Sequence, residues 1–374
     1  MIQDLYSQWT IQPHHVHGDC FTGYEPIYDQ LEQFTNSTYA QDPEGTIARV
    51  KTLYRSINLV PIDYYTETGL IDHLRQFRDQ AINPVVDDVL GLGNNQGQKL
   101  NRFLFPNMMT AEPKGRGSNS LRDRFYDDAK LARAIRICFE FRTGNRLVHP
   151  TALRRSLELV TGENIQNFKP QHARALVEHL CPVMWGRVYD YSAGYGGRLL
   201  GITSSRMGYD YVGVDPNTET FQNLQYLAQL IDTAFGRSAT LCCDVSENFQ
   251  PRDIDLAFSS PPYFNLEKYS DEPTQCMVRC ATLDDWFELY VTPTMQRIHQ
   301  GLNADGVFAT NIADYKTGGK QEYRVVDRWI ALAEQLGFRY QKVIRMMLNT
   351  RPGVGNHKTD GRQKWEGVYV FSKV

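Results

Sequence analysis

From residue 187 to the C-terminus, short apolar runs alternate with segments of helical period, and this alternation constrains the fold more than any other feature of the chain. Residues 187–192, 211–215, 239–244, 254–259 and 306–312 read as strands. Residues 171–180, 218–235, 283–302 and 323–336 carry apolar positions at helical spacing. Strands separated by helices cannot close as hairpins and must pair in parallel. The pattern therefore predicts an α/β fold built on a doubly wound, Rossmann-like sheet. The last two apolar runs, 338–348 and 367–373, are joined by 349–366, which has no helical period. They are expected to form an antiparallel pair at the sheet's edge.

Residues 1–165 read differently and are expected to form a mainly helical N-terminal domain, with the α/β domain spanning 166–374. One amphipathic helix is predicted over 121–141. A second starts near Pro150 and stops at Gly162, where glycine ends the helical pattern. Residues 111–120 (AEPKGRGSNS) read as a polar loop. A chain of 374 residues has room for two such domains. It contains no run of eighteen apolar residues and no basic start followed by an apolar stretch, so a cytoplasmic protein is expected.

Seven scattered cysteines, an odd number, argue against a disulfide framework. Cys276 and Cys280 lack a second ligand pair, and although His14, His15 and His17 could join Cys20 at a metal, one such cluster is weak evidence for zinc, so no metal is expected. The net charge of -3 does not suggest nucleic acid, but the charge is uneven. Residues 111–155 hold eleven Lys/Arg against five Asp/Glu, and residues 339–364 hold seven against one. Phosphate contacts supply most non-specific affinity for DNA, so these segments are the expected DNA-facing surfaces.

Two motifs carry chemistry. The first is Asp190-Tyr-Ser192-Ala-Gly194-Tyr-Gly196-Gly197, at the end of the first strand. Glycines there permit positive φ and let a ligand approach the backbone, and a following helix offers free N–H groups. A Gly-x-Gly alone is shared with dinucleotide sites, but the third glycine of that pattern is Leu199 here. Asp215, about twenty residues on, ends the next strand and could accept both hydroxyls of a ribose. Asp244 ends the third and could accept an adenine amino group. These acidic strand ends suit an adenosine with a cationic tail. The second motif, Ser260-Pro261-Pro262-Tyr263, lies about sixty-five residues after the glycines. Two prolines fix φ and remove two backbone donors, which frees a carbonyl to point into a cavity. Ser260 Oγ and the Pro261 carbonyl are acceptors for an exocyclic amino group, and Tyr263 offers a face for stacking a base.

Residues 166–374 resemble the S-adenosylmethionine-dependent DNA amino-methyltransferases of the Ser-Pro-Pro-Tyr type, which act on cytosine N4 or adenine N6. The resemblance implies S-adenosylmethionine as methyl donor, DNA as partner, base flipping, and no metal. It makes Ser260, Pro261, Pro262 and Tyr263 catalytic. It assigns the donor site to Phe168, Asp190, Ser192, Gly194, Gly196, Asp215 and Asp244. Phe168 falls in Asn167-Phe168-Lys169-Pro170, which looks like the family's segment over the donor's methionine end and reads equally as a core aromatic. Ser260 in place of Asp leans toward cytosine N4. No insertion between the motifs is large enough for a recognition domain, so recognition is expected in the N-terminal region. Residues 264–284 read either as a flap over the base or as a surface loop. Methylation of an RNA base or a protein glutamine, and a catalytically silent binding module on the same fold, stay open.

Overall fold

The computed structural model describes residues 16–17, 20–21, 27–57, 61, 67–113, 118–142, 144, 146–161, 164–317, 321–348 and 364–374. The chain divides into two compact units. One comprises residues 1–73, 99–166 and 267–270; the other comprises 74–98, 167–266 and 271–374. The main crossing falls next to the sequence boundary at 165, but residues 74–98 join the sheet unit and 267–270 join the helical one.

The first unit is mainly helical. The single helix expected over 121–141 is two, Leu121–Tyr126 and Asp128–Phe141. Asp127 between them is extended, and its carboxylate accepts hydrogen bonds from the Ala129 and Lys130 N–H groups at 3.0 and 2.9 Å. An N-cap of this kind satisfies donors that a helix start leaves open. Periodicity misses the break because Phe125 and Leu131, on either side of it, are both fully buried. Val50, Tyr54, Ile135, Cys138, Leu153 and Leu157 complete the core of this unit, and the Tyr54 hydroxyl donates to the Val148 carbonyl at 2.6 Å.

Much of the basic charge expected to face DNA is satisfied within this unit. Arg124 and Arg154 are buried. Lys130 pairs with Asp127 at 2.8 Å, Arg136 with Glu44 at 2.8 Å, and Arg155 with Glu158 at 2.9 Å. Lys114, Arg116 and residues 349–363 of the second basic stretch lie outside the described residues, as do the side chains of His14, His15, His17 and Cys20.

The second unit carries seven long-sheet strands: β1 (Arg187–Asp190), β2 (Asp210–Val214), β3 (Ala239–Cys242), β4 (Ile254–Ser259), β5 (Leu302–Ile312), β6 (Phe338–Met347) and β7 (Trp365–Lys373). They run in the order β3-β2-β1-β4-β5-β7-β6. Strands β1 to β5 are parallel, and β7 is antiparallel to both its neighbours. The expected antiparallel pair exists, but β7 inserts between β5 and β6. The edge itself is a hairpin of Val85–Val86 and Val89–Leu90 laid on β6, from a stretch the sequence places in the other domain. Its helices include α1 (Pro170–Leu180), α2 (Gly197–Thr203), α3 (Thr218–Phe235), α4 (Leu283–Trp286), α5 (Thr292–Gly301) and α6 (Val326–Gln335). Between α4 and α5 the chain winds as a π-helix, Phe287–Val291, so the single helix expected over 283–302 is bulged at its centre. Trp286, Phe308, Trp329 and Phe371 fill the core on one face of the sheet. Among the described residues no helix is long and apolar enough to cross a membrane.

Candidate active site

The chain builds β1, β2 and β3 outward in one direction and then returns to place β4 on the other side of β1. The gap between β1 and β4 is thus the topological switch point, where open parallel sheets bind ligands at the carboxyl ends of their strands. The glycine-rich turn follows β1 and the Ser-Pro-Pro-Tyr turn follows β4. Register places them level, with Val188 opposite Leu256 and Tyr189 opposite Ala257. Two motifs far apart in sequence meet because of strand order alone.

Asp190 ends β1 with no exposed surface. Its carboxylate accepts from Ser259 Oγ at 2.6 Å, Tyr211 OH at 2.8 Å, Arg198 Nε at 2.9 Å and the Ser192 N–H at 3.3 Å. Asp190 is thus enclosed by partners from β1's own turn, β2, β4 and α2. Arg198, on α2, also donates to the Ser192 carbonyl, and its guanidinium lies 5.5 Å from the Phe168 ring. The Arg198–Asp190 pair is almost wholly buried, so losing either partner would leave an unpaired charge, at a cost of about 3–5 kcal/mol. Arg198, Tyr211 and Ser259 have no local sequence signal for these bonds. Ser259, one residue before the expected motif, is what ties the two turns together.

The turn itself needs its glycines. Gly194 and Gly196 have φ of +55° and +71°, in the left-handed region that side chains disfavour. A Cβ on Gly197 would lie 2.0 Å from the Phe168 carbonyl oxygen. Ser192 Oγ shares a hydrogen bond with Tyr290 OH at 3.0 Å. Phe168 meets Phe258 edge-on at 5.7 Å, and Asn167 donates from Nδ2 to the Tyr195 carbonyl at 2.8 Å. The Asn167–Pro170 segment is thereby packed against the glycine turn. Residues 91–98 are clasped by the same region: Lys169 donates to the Gly93 carbonyl, Gln171 accepts from the Asn94 N–H, and His172 Nε2 accepts from the Gly93 N–H at 2.9 Å. Burial and the Lys169 ammonium push His172 down to about 4, which keeps the imidazole neutral as an acceptor.

Asp215 follows β2 directly and is 9% exposed. Its Oδ2 accepts from the Gly194 N–H at 2.8 Å and its Oδ1 from the Asn217 N–H at 3.0 Å. Burial pushes its carboxyl up to about 6, against the pull of those two N–H groups. Each carboxylate oxygen carries a second lone pair, so capacity for a diol remains. Asp244 lies two residues past β3 and is half-buried; its Oδ1 accepts from the Val245 N–H at 2.7 Å and Asn248 Nδ2 at 3.1 Å.

At the second turn, Ser260 Oγ donates to Asn311, 3.4 Å from its carbonyl and 3.3 Å from its Oδ1. Trp286 Nε1 donates to the Pro262 carbonyl at 3.1 Å. The Tyr263 hydroxyl accepts from the Ala313 N–H at 2.9 Å, and its ring meets Tyr315 at 4.9 Å and 77°. Tyr315 stacks on Tyr323 at 5.0 Å and 14°. The turn thus carries an aromatic wall that the sequence motif shows only in part. Trp286 precedes the π-helix and Tyr290 lies within it, so one bulged helix bonds both turns, one at Pro262 and the other at Ser192.

Several bonds tie down the chain after the turn, within its own unit at each point. Asn265 Nδ2 donates to Tyr323 OH at 2.7 Å, and Glu272 accepts from the Thr218 N–H at 3.1 Å. Lys268 pairs with Glu112 in the helical unit at 2.9 Å. Among the described residues no group of three or more His, Cys, Asp or Glu could hold a metal ion. Burial raises the Cys276 and Cys280 thiols, which disfavours the thiolate a metal would need.

No protein-family profile and no curated protein sequence matches the chain. Solved structures do. The TehB-like SAM-dependent methyltransferase from Corynebacterium glutamicum is 18% identical over 60% of this chain and 96% of its own, with a TM-score of 0.34. TrmN from Thermus thermophilus is 14% identical over 55% of this chain and 49% of its own, with a TM-score of 0.35. The magnesium protoporphyrin IX methyltransferase from Synechocystis, solved with bound SAM, is 12% identical over 64% of this chain and 90% of its own, with a TM-score of 0.36.

Proposed function

We propose that the chain is an S-adenosylmethionine-dependent methyltransferase acting on an exocyclic amino group of a DNA base, cytosine N4 in preference to adenine N6. One observation carries the reading. The glycine turn and the Ser-Pro-Pro-Tyr turn stand side by side at the switch point and are bridged by the 2.6 Å Ser259–Asp190 bond. A donor held at the first turn and an amino group held at the second are then neighbours.

The residues fit the donor. A buried carboxylate at Asp215, fixed by two N–H groups, suits a ribose diol; Asp244 suits an adenine amino group; the glycine turn leaves room for the chain between them. When bound, S-adenosylmethionine supplies an electrophilic methyl group on a sulfonium. Ser260 Oγ and the Pro261 carbonyl accept the amino protons, while the Pro262 carbonyl is already engaged by Trp286. That arrangement turns the nitrogen lone pair out of conjugation with the ring. Tyr263 and its tyrosine neighbours supply the flat surface for a base. A base inside a duplex must be flipped to reach the turn, at a cost of a few kcal/mol, and stacking at about 1–3 kcal/mol per base offsets part of it. Holding the reacting atoms within about 3–3.5 Å supplies much of the rate.

The test is transfer of labelled methyl from the donor to unmethylated DNA, followed by digestion and mass spectrometry of the nucleosides. N4-methylcytosine supports the reading in full. N6-methyladenine keeps the reaction class and corrects the base, and label found only in RNA or protein moves the substrate class.

A further inference from the structure

Asn311 lies one residue past the last pairing of β5 with β4, beside the Ser-Pro-Pro-Tyr turn, and nothing in the motif calls for it. It sits near the end of β5, 4% exposed, opposite Val368 of β7. Its two side-chain ends face different groups. Nδ2 donates to the Gly367 carbonyl at 3.1 Å, and Oδ1 lies 3.3 Å from Ser260 Oγ. The orientation of an Asn amide follows from its partners. A carbonyl oxygen at Gly367 can only accept, so the NH2 end must point there. The oxygen end is thereby left toward Ser260. Glu366 lies two positions before Val368 on the same face of β7, and the pull of Asn311 on its carboxyl is downward, the direction an amide N–H gives.

We propose that Asn311 is a positioning residue that fixes Ser260 as a hydrogen-bond acceptor for the substrate's amino group. A serine hydroxyl has one proton and two lone pairs, and the proton can turn to suit its surroundings. Both groups that Asn311 presents to Ser260, the side-chain Oδ1 and the main-chain carbonyl, are acceptors. The Ser260 proton is drawn to Asn311, and the lone pairs face the site. An incoming amino group donates, so it meets an acceptor already oriented. Without Asn311 Oδ1 the hydroxyl is held only by the main-chain carbonyl at 3.4 Å, and turning its proton into the site costs less. The substrate amino group would then meet a donor for part of the time. The effect acts on the base-binding turn and leaves the donor site alone. This inference rests on the reading of Ser260 as the amino-group acceptor.

The experiment is a double-mutant cycle on methyl transfer, with donor affinity measured by calorimetry on every protein. Asn311→Leu keeps the volume and removes the acceptor. Asn311→Ser is too short to reach either Gly367 or Ser260, and it serves if the leucine variant does not fold. Each should lower turnover about tenfold, the worth of one hydrogen bond, with donor affinity unchanged. In a Ser260→Ala background the same substitution should have almost no further effect, because Asn311 acts only through Ser260. Additive losses would overturn the inference, since a merely structural role weakens the enzyme whether or not Ser260 is present. An unaltered Asn311→Ser turnover would overturn it too. A wild-type protein that transfers methyl to no base amino group overturns the proposed function and this inference with it.

Discussion

Asp215 and His172 titrate in opposite directions, and both lie next to the proposed donor site. The native Asp215 carboxyl sits at about 6, above its ordinary 3.8. The native state therefore holds the extra proton between those values, and this group's contribution to stability falls as pH rises through them. His172 sits at about 4, below its ordinary 6.5, so the unfolded state holds the extra proton and stability rises with pH. Each gap is worth about 3 kcal/mol, and the two nearly cancel. Asp215→Asn should unmask His172: denaturant titrations should show the variant losing about 3 kcal/mol between about pH 7 and pH 4, relative to wild type. A variant with the wild-type pH profile would contradict the assignment. The same variant should bind S-adenosylmethionine about 1.5–3 kcal/mol more weakly at neutral pH, because the bonds to the ribose lose their charge. Wild-type affinity should fall below about pH 6 for that reason, since protonation neutralises Asp215 there. Calorimetric titrations across that range check it, and flat affinity would remove Asp215 from the donor site. At Tyr263, alanine should abolish most turnover and spare donor binding. Phenylalanine keeps the ring but strands the Ala313 N–H, so its cost in stability should be about 1–3 kcal/mol, readable by denaturant titration.

Strands and helices explain which features could be seen in sequence and which could not. The α3 helix, Thr218–Phe235, and β4, Ile254–Ser259, stand where the sequence puts them, because each has a clean period and a strong stop. The π-helix at Phe287–Val291 could not be seen, since one extra residue in a turn leaves the apolar spacing nearly unchanged. Its consequence is large: Trp286 and Tyr290 reach the two turns from one element. Trp286→Phe keeps the aromatic volume and removes the bond to Pro262. Turnover should fall about tenfold while donor affinity holds, as steady-state kinetics and calorimetry would show. Equal losses in both would mean that Trp286 serves the core alone. Motif residues with a fixed backbone demand, such as Gly194 and Gly196, were legible because φ is written into the residue type. Arg198, Tyr211 and Asn311 were not, because a buried hydrogen bond between distant strands has no local signature. The Asp127 break likewise depends on a cap that periodicity ignores.

At the scale of the molecule, one unit is a doubly wound sheet with a complete set of turns at its switch point, and the other is mainly helical. We assign nucleic-acid recognition to the helical unit as a proposal. Many cations of the basic 111–155 stretch are paired internally, so the contribution to DNA binding should come from a few of the exposed ones, such as Arg133 and Arg146, the latter within 3.6 Å of Glu32. Neutralising both should reduce the salt slope of DNA binding by up to about two phosphate contacts' worth, near -0.9 each. An unchanged slope in a fluorescence anisotropy series would make these charges a solvated face. Whether the two turns form one methyl-transfer site for a base amino group, as proposed, is read by mass spectrometry of nucleosides after incubation of DNA with isotopically labelled S-adenosylmethionine. Labelled N4-methylcytosine should form with the wild-type protein and be lost with Tyr263→Ala. Label on no nucleoside, or equal label with the Tyr263→Ala protein, would contradict the proposal.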